Sequence, residues 1–470
     1  MNCSRHSVFA SVCVLICLGP RVFSQPASPD PAPKAAGEID NTPITLTLDA
    51  TKPGRTFAGI GGNFRLQNPT SDPPVIKFNL ENLRVAWGRV AMPWNVWQPD
   101  ENTDPIEAAK AGQINQHVRQ SMEMAQKLAQ RRIPFIISIW APPSWALQGG
   151  SPGDRSGRGG RGPLNQEKWD SISKSVGSYI LYMKNTYGAE PVLFSFNESE
   201  MGVDVRQTAA EHCTQIKKLG AYFASICLAT KMLLGDTGNA KGIKFIDVAV
   251  EDPETMKYVT AISFHSWRGG DDQLLASWGE AAKKLNIPLF VAEAGTDPQA
   301  YSKPTLLQSP AYSLDEITLY IRICALCQPE SIIQWQLTAD YSLLAGYTAG
   351  RGGGGGENQP PQPTQRFWNL KQLGSTPAGS FYLPIACDGS AVACVAYGDI
   401  ANGVYTVHLV NNGATRPATL TGLPASLKEL RVYVTDGQRG MKEGERLLVT
   451  KGAAQYTLDT ASYTTLIGGQ

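Results

Sequence analysis

The chain has 470 residues, with 42 Lys and Arg against 41 Asp and Glu. That length exceeds one minimal domain and suits a barrel of about 250 residues with a smaller partner. Charge this close to balance gives no global field to gather nucleic acid or an anionic membrane, so the expected ligand is uncharged.

Residues 1–24 read as an export signal: Arg5 opens a basic start, residues 8–18 form an apolar run, and Val22-Phe23-Ser24 offers a cleavage site before Gln25. The run is shorter than the ~20 residues of a spanning helix, so the expected mature protein is secreted or periplasmic and not inserted in a membrane; a monomer is expected. Its removal takes Cys3, Cys13 and Cys17 and leaves six cysteines. Cys387 and Cys394 flank the turn-like Asp388-Gly389-Ser390 and are a candidate disulfide. Cys213 and Cys227 are expected on one helix, ~21 Å apart and unable to bridge. Cys324-x-x-Cys327 lacks a second Cys or His pair and reads as two buried thiols on a helix rather than half of a metal site.

Residues 25–40 form a Pro- and Ala-rich linker. In 41–55, residues 44–48 alternate at period two as a strand that either leads the next domain or joins the C-terminal β domain. From 56 to 376 the pattern is strand then helix, with strands expected at 57–61, 83–90, 134–140, 192–197, 232–236, 259–265, 289–293 and 332–337. Ile114, Val118, Met122, Ala125 and Leu128 mark one helix, and Trp169, Ile172, Val176, Tyr179, Ile180 and Met183 another, all at spacings of three and four. Eight such alternations predict a (β/α)8 TIM barrel within the α/β class. A loop follows at 346–363; its glycines 352–356 have neither the leading strand nor the Lys-Ser/Thr helix start of a phosphate cradle. Residues 377–470 are short β runs between Asp-Gly, Asn-Gly and Pro, and predict an appended β-sandwich.

Two apolar strands end in glutamate: Phe194-Ser195-Phe196-Asn197-Glu198 and Leu289-Phe290-Val291-Ala292-Glu293. A lone glutamate is ordinarily a solvated surface group. Two at the C-terminal tips of the fourth and seventh barrel strands face one another across the mouth where such barrels do their chemistry. Glycoside cleavage needs that equipment, an acid for the leaving oxygen and a second carboxylate across the anomeric carbon.

Those residues, with Gly59-Ile60-Gly61-Gly62, Arg89, Trp140-Ala141-Pro142-Pro143-Ser144-Trp145, Asn197-Glu198, His265-Ser266-Trp267, Glu293 and Trp335, give the chain a resemblance to the retaining glycoside hydrolases of clan A. Within that clan it most resembles family 30, which holds glucosylceramidases, β-1,6-glucanases, β-xylosidases and glucuronoxylanases. The resemblance implies Glu198 as acid/base, Glu293 as nucleophile, and Arg89, Trp140, Asn197, His265, Trp267 and Trp335 at the substrate. It implies no metal or cofactor, and a β-linked glycan of glucan, xylan or galactan type as partner. Asn197 would bond the sugar 2-hydroxyl, Arg89 would keep Glu293 ionised, and the tryptophans would offer flat faces to sugar C–H groups.

The sequence departs from the family pattern at Ser199, where proline is usual, and at Trp267, where tyrosine is usual, which puts a tyrosine hydrogen bond to the nucleophile in doubt. Glu200, two residues beyond Glu198, reads as a solvated loop residue or as a third carboxylate near the site. The main rival function is a non-catalytic carbohydrate-binding protein on the same barrel; an amidohydrolase would need several strand-end histidines, and only His265 ends a strand. Specificity falls to the loops 146–165, 296–310 and 341–363, where Arg155, Arg158 and Arg161 form a basic cluster, solvated or facing an acidic branch.

Overall fold

Eight short parallel strands hydrogen-bond in sequence order and close on themselves: β1 (Gly59–Phe64), β2 (Trp87–Pro93), β3 (Phe135–Trp140), β4 (Leu193–Phe196), β5 (Lys231–Thr237), β6 (Val259–His265), β7 (Leu289–Ala294) and β8 (Ser331–Gln334). This is the expected TIM barrel. The computed structural model describes residues 41–149, 162–303, 305–347 and 360–469. The signal and linker readings at 1–40, Arg155, Arg158, Arg161 and Gly352–Gly356 lie outside the described residues.

Barrel strands are covered by side chains within and helices without, so they read as unbroken apolar runs; all six residues of β3, Phe-Ile-Ile-Ser-Ile-Trp, are buried. The glycines of β1 have a packing reason, since at Gly62 the Leu337 side chain fills the space a Cβ would take. Strand ends differ from the sequence reading, with the most telling differences in the first, second and eighth strands. Phe57 is not in the barrel but in a short strand, Thr56–Phe57, paired with Ser380–Leu383 of the C-terminal β domain. The second strand begins at Trp87 rather than 83 and runs on to Pro93, so Arg89 is its third residue and points inward instead of closing it. The eighth ends at Gln334, leaving Trp335 on the exit turn, where the Trp335–Gln336 peptide is cis.

The helix Gln116–Gln130 is capped by the Asn115 side chain and buries Val118, Met122, Ala125 and Leu128 against the strands; Ile114 lies just outside its start. The helix Trp169–Tyr187 buries its whole expected stripe and stops at Gly188 in the left-handed region. Among the described residues no helix is long and apolar enough to cross a membrane.

The cysteine expectations have mixed outcomes. Cys213 lies on the helix Ala209–Ser225, but Cys227 is two residues past its end and exposed. Cys324 and Cys327 are both buried on the last turn of the helix Pro310–Cys327, and burial pushes the Cys324 thiol up to about 11. Cys387 and Cys394 are both free thiols here, and the Cys387 thiol donates to the Gly389 carbonyl.

Beyond the barrel, two antiparallel-dominated sheets pack face to face around Leu46, Leu383, Leu409, Leu420, Val432 and Leu466. The strand Ile44–Leu48 belongs to this layer, antiparallel to Ile385–Cys387 and parallel to Arg416–Thr421. One continuous core runs from the barrel helices into this sandwich through Tyr320, Cys324, Tyr382, Tyr397 and Tyr463.

Candidate active site

The strand tips of β2, β4, β5, β6 and β7 bring five ionisable side chains together. Arg89, fully buried, donates to five side chains with its two terminal nitrogens. Nη1 donates to Glu293 Oε1 at 2.8 Å and to Asn63 Oδ1 at 3.0 Å. Nη2 donates to Asp236 Oδ2 at 2.8 Å, Asn197 Oδ1 at 2.7 Å and Ser138 Oγ at 3.1 Å. A guanidinium suits this task because its planar fork serves several acceptors without moving.

Asp236 is the residue the sequence reading missed. It carries the same signal as the two glutamates, an acid at the tip of an apolar strand, Met232-Leu233-Leu234-Gly235-Asp236. It is wholly buried and accepts from Arg89, from Ser195 Oγ at 2.6 Å and from Ser138 Oγ at 3.1 Å. Burial opposes its ionisation, but Arg89 and His265 outweigh that and hold the carboxyl well below the usual range. Its backbone, like that of Glu198, takes a positive φ, 54° and 42° respectively, and the Asp236 carbonyl accepts from the Glu198 N–H at 3.0 Å. Such strained backbone is characteristic of functional sites.

His265 stands between three carboxylates. Nε2 lies 3.0 Å from Asp236 Oδ1; Nδ1 lies 3.0 Å from Glu198 Oε1 and 3.4 Å from Glu293 Oε2. Burial disfavours the imidazolium, yet Glu293, Asp236 and Glu198 together raise the ring to about 10. At neutral pH it is a cation with both N–H groups donating.

Glu293 is 4% exposed. Burial drives its carboxyl upward, while the His265 and Arg89 cations pull it back. Its second oxygen accepts from the Trp267 indole Nε1 at 3.1 Å. The indole therefore supplies the donor that the missing tyrosine had put in doubt. Gly295 makes this possible, because a Cβ there would run into the Trp267 ring.

Glu198 is the more open of the two, with its side chain 13% exposed. Glu200 is not a solvated loop residue: its Oε1 accepts from the Gly238 N–H at 2.6 Å, its Oε2 is buried without a partner, and burial raises it to about 7. Ser199 is fully buried and fits the turn without a proline.

Glu198, Glu293, Trp267 and Trp335 border a cleft of about 670 Å3, shared with Arg65, Gln67, Asp340 and Tyr341. Arg89, Asn197 and His265 lie beneath it. Trp140 packs against the Arg89 guanidinium, 4.6 Å from the ring centre, and beside Trp335 of the cleft. Asn197, its oxygen taken by Arg89, keeps only amide N–H groups to offer a ligand.

Glu198, His265 and Glu293 are of metal-ligand type, and one ligand atom from each lies within 4.8 Å of the others. The donor set does not fit a metal well. Both imidazole nitrogens already face carboxylates, and a metal ion would sit beside the Arg89 and His265 cations.

A family model described as the glycosyl hydrolase family 30 TIM-barrel domain matches residues 113–304. Among curated proteins, "Putative glucosylceramidase 2" of Caenorhabditis elegans is 23% identical over 265 residues, 49% of this chain and 49% of that protein. This chain's match thus spans about half the length of that curated relative. Among solved structures, the family 30 subfamily 8 xylanase Xyn30A of Clostridium acetobutylicum superposes with a TM-score of 0.71 at 15% identity, covering 91% of this chain and 100% of that one. A family 30 endoxylanase of Clostridium papyrosolvens C71 gives 0.70 at 17% identity, with the same coverage of each chain. At such identities the structures speak to the fold alone. Residues 113–304 thus match the family 30 barrel domain, and the fold of the chain is similar to that of family 30 glycoside hydrolases.

Proposed function

We propose that the protein is an exported, monomeric retaining hydrolase of uncharged β-linked glycans of glucan, xylan or galactan type, with Glu293 as nucleophile and Glu198 as acid/base. The observation that carries this is the closeness of the two carboxylates, an oxygen of each lying within 4.8 Å of the other. Retaining enzymes hold the pair ~5–5.5 Å apart, whereas inverting ones need ~6.5–9.5 Å for an intervening water. The names of the structural neighbours favour xylan within this range, and that of the curated relative a glucoside.

In the first step a Glu293 oxygen attacks the anomeric carbon while Glu198 gives its proton to the departing oxygen. Glu198 Oε1 accepts from His265, so Oε2 is the oxygen that presents the proton. In the second step ionised Glu198 takes a proton from water, which displaces Glu293. Two fixed cations, Arg89 and His265, face three carboxyl groups, and with one proton on Glu198 the charges balance. Forming the ester moves one negative charge from Glu293 to Glu198, leaving the total unchanged. The His265 Nδ1–H faces both, at 3.0 and 3.4 Å, and so serves whichever carboxylate is charged with little rearrangement.

Activated 2-deoxy-2-fluoro-β-glycosides, followed by peptide mapping, should place a covalent sugar on Glu293. Glu198→Ala should lose ~10²–10⁴ in rate on unactivated substrates and yield a β-glycosyl azide when azide is supplied. A label on another residue would refute the nucleophile assignment. Failure to cleave any β-linked glycan in a panel would favour the binding-protein alternative.

A further inference from the structure

The cleft has two unlike walls. One, from the loops after β4 and β5, carries Glu198 with Met201, Gly238 and Asn239. A Cβ at Gly238 would come within 3.1 Å of Glu198 Oε1 and 2.7 Å of Met201 Sδ, so this wall is tight against the acid. Since the acid must reach the departing oxygen, the leaving group lies along it. In a closed eight-stranded barrel β1 and β8 stand across from β5 and β4, so the loops after β1 and β8 face the other sugar, the one transferred.

That second wall holds a connected polar cluster, Arg65, Gln67 and Asp340. With its amide turned so that nitrogen faces Asp340, Gln67 donates to Asp340 Oδ2 at 3.2 Å and accepts from Arg65 Nε and Nη2 at 3.1 and 3.0 Å. Among the described residues no other donor is bonded to Asp340, although it is half-buried. Burial raises its carboxyl to about 6 against the pull of Arg65. Asp340 borders the cleft, where its remaining acceptor capacity is open to a ligand hydroxyl.

The wall is also built in advance. Asp72, 3% exposed, accepts from the Ala339 N–H at 2.9 Å and from the Asn68 N–H at 2.9 Å, clamping the residues next to Asp340 and Gln67. Gln336 Oε1 accepts from the Arg65 N–H at 3.1 Å. Preorganisation of this kind lowers the ordering cost of binding.

We propose that Arg65, Gln67 and Asp340 form the clamp that selects the transferred sugar, an uncharged pyranose presenting two adjacent hydroxyls, with Asp340 accepting from them and Arg65 donating. The orientation of the substrate rests on the hydrolase reading; binding to the clamp does not.

Calorimetry should compare Glu293→Gln with Glu293→Gln/Asp340→Ala and Glu293→Gln/Asp340→Asn, using xylotetraose, gentiotriose and β-1,4-galactotriose as probes. Alongside, kcat/KM on matching aryl β-glycosides should be measured for wild type, Asp340→Asn and Gln67→Ala. At least one probe should bind, and should bind at least 10-fold more weakly once Asp340 is changed. The Asp340→Asn enzyme should lose at least 10-fold in kcat/KM equally for good and poor leaving groups. The near-isosteric asparagine variant keeps the result readable if alanine impairs folding. Binding and kcat/KM both within twofold of the parent would overturn the clamp while leaving the hydrolase intact. Asp340-dependent binding without hydrolysis by wild type would refute the hydrolase and keep the clamp; no binding of any probe would overturn the clamp.

Discussion

His265 owes its charge to its neighbours. An imidazole ordinarily titrates near ~6.5, and here three carboxylates raise it to about 10. Between those values the folded protein holds a proton that the unfolded chain releases. The resulting stability is complete below pH ~6.5 and is lost as the pH rises through about 10. In His265→Gln this part of the decline should vanish, and urea midpoints at pH 6.5 and 9 should lie closer together than in wild type. An unchanged gap would mean that another group sets the slope. Glu198 and Glu293 were legible because an ionisable tip on an apolar strand stands out. Asp236 had the same signature, but neither periodicity nor the family pattern assigns it a role; only its burial beside Arg89 does.

At the scale of elements, repeated alternation predicted the barrel, while its seams were harder to place. Phe57 and Leu83 are as apolar as any strand residue, and only pairing shows that one serves the sandwich and the other a link between helix and strand. The specificity wall was not legible at all: Gln67 and Asp340 are 273 residues apart and meet only when β8 closes on β1. The exits of β6 and β7 offer a direct test. Trp267→Phe removes the N–H on Glu293 while leaving a smaller aromatic ring in place; a hydrogen bond to a charged group is worth about 1.5–3 kcal/mol, so kcat should fall roughly 10- to 100-fold. Gly295→Ala should produce a similar loss by pushing the indole aside. Wild-type kcat in both variants would show that the indole contact does not serve the reaction.

At the scale of the whole molecule, composition predicted a sandwich beyond residue 377, but not how deeply it is joined to the barrel. Gln372 donates to the Tyr463 carbonyl at 3.0 Å and to Thr465 Oγ1 at 2.8 Å, and accepts from Thr435 Oγ1 at 2.7 Å. The strand Ile44–Leu48 returns from the other end of the chain to complete the sandwich. A chain ending at residue 376 should therefore fail to give a soluble, cooperatively melting barrel, and a stable, active truncation would contradict the shared core.

The central claim concerns the pair of carboxylates, and proton NMR of the first product tests it most directly. In the proposed double displacement by Glu198 and Glu293, whose oxygens come within 4.8 Å, the anomeric carbon is inverted twice and regains its configuration. The sugar released in the first minutes of hydrolysis, before mutarotation, should be the β anomer, whereas an initial α anomer would contradict the account.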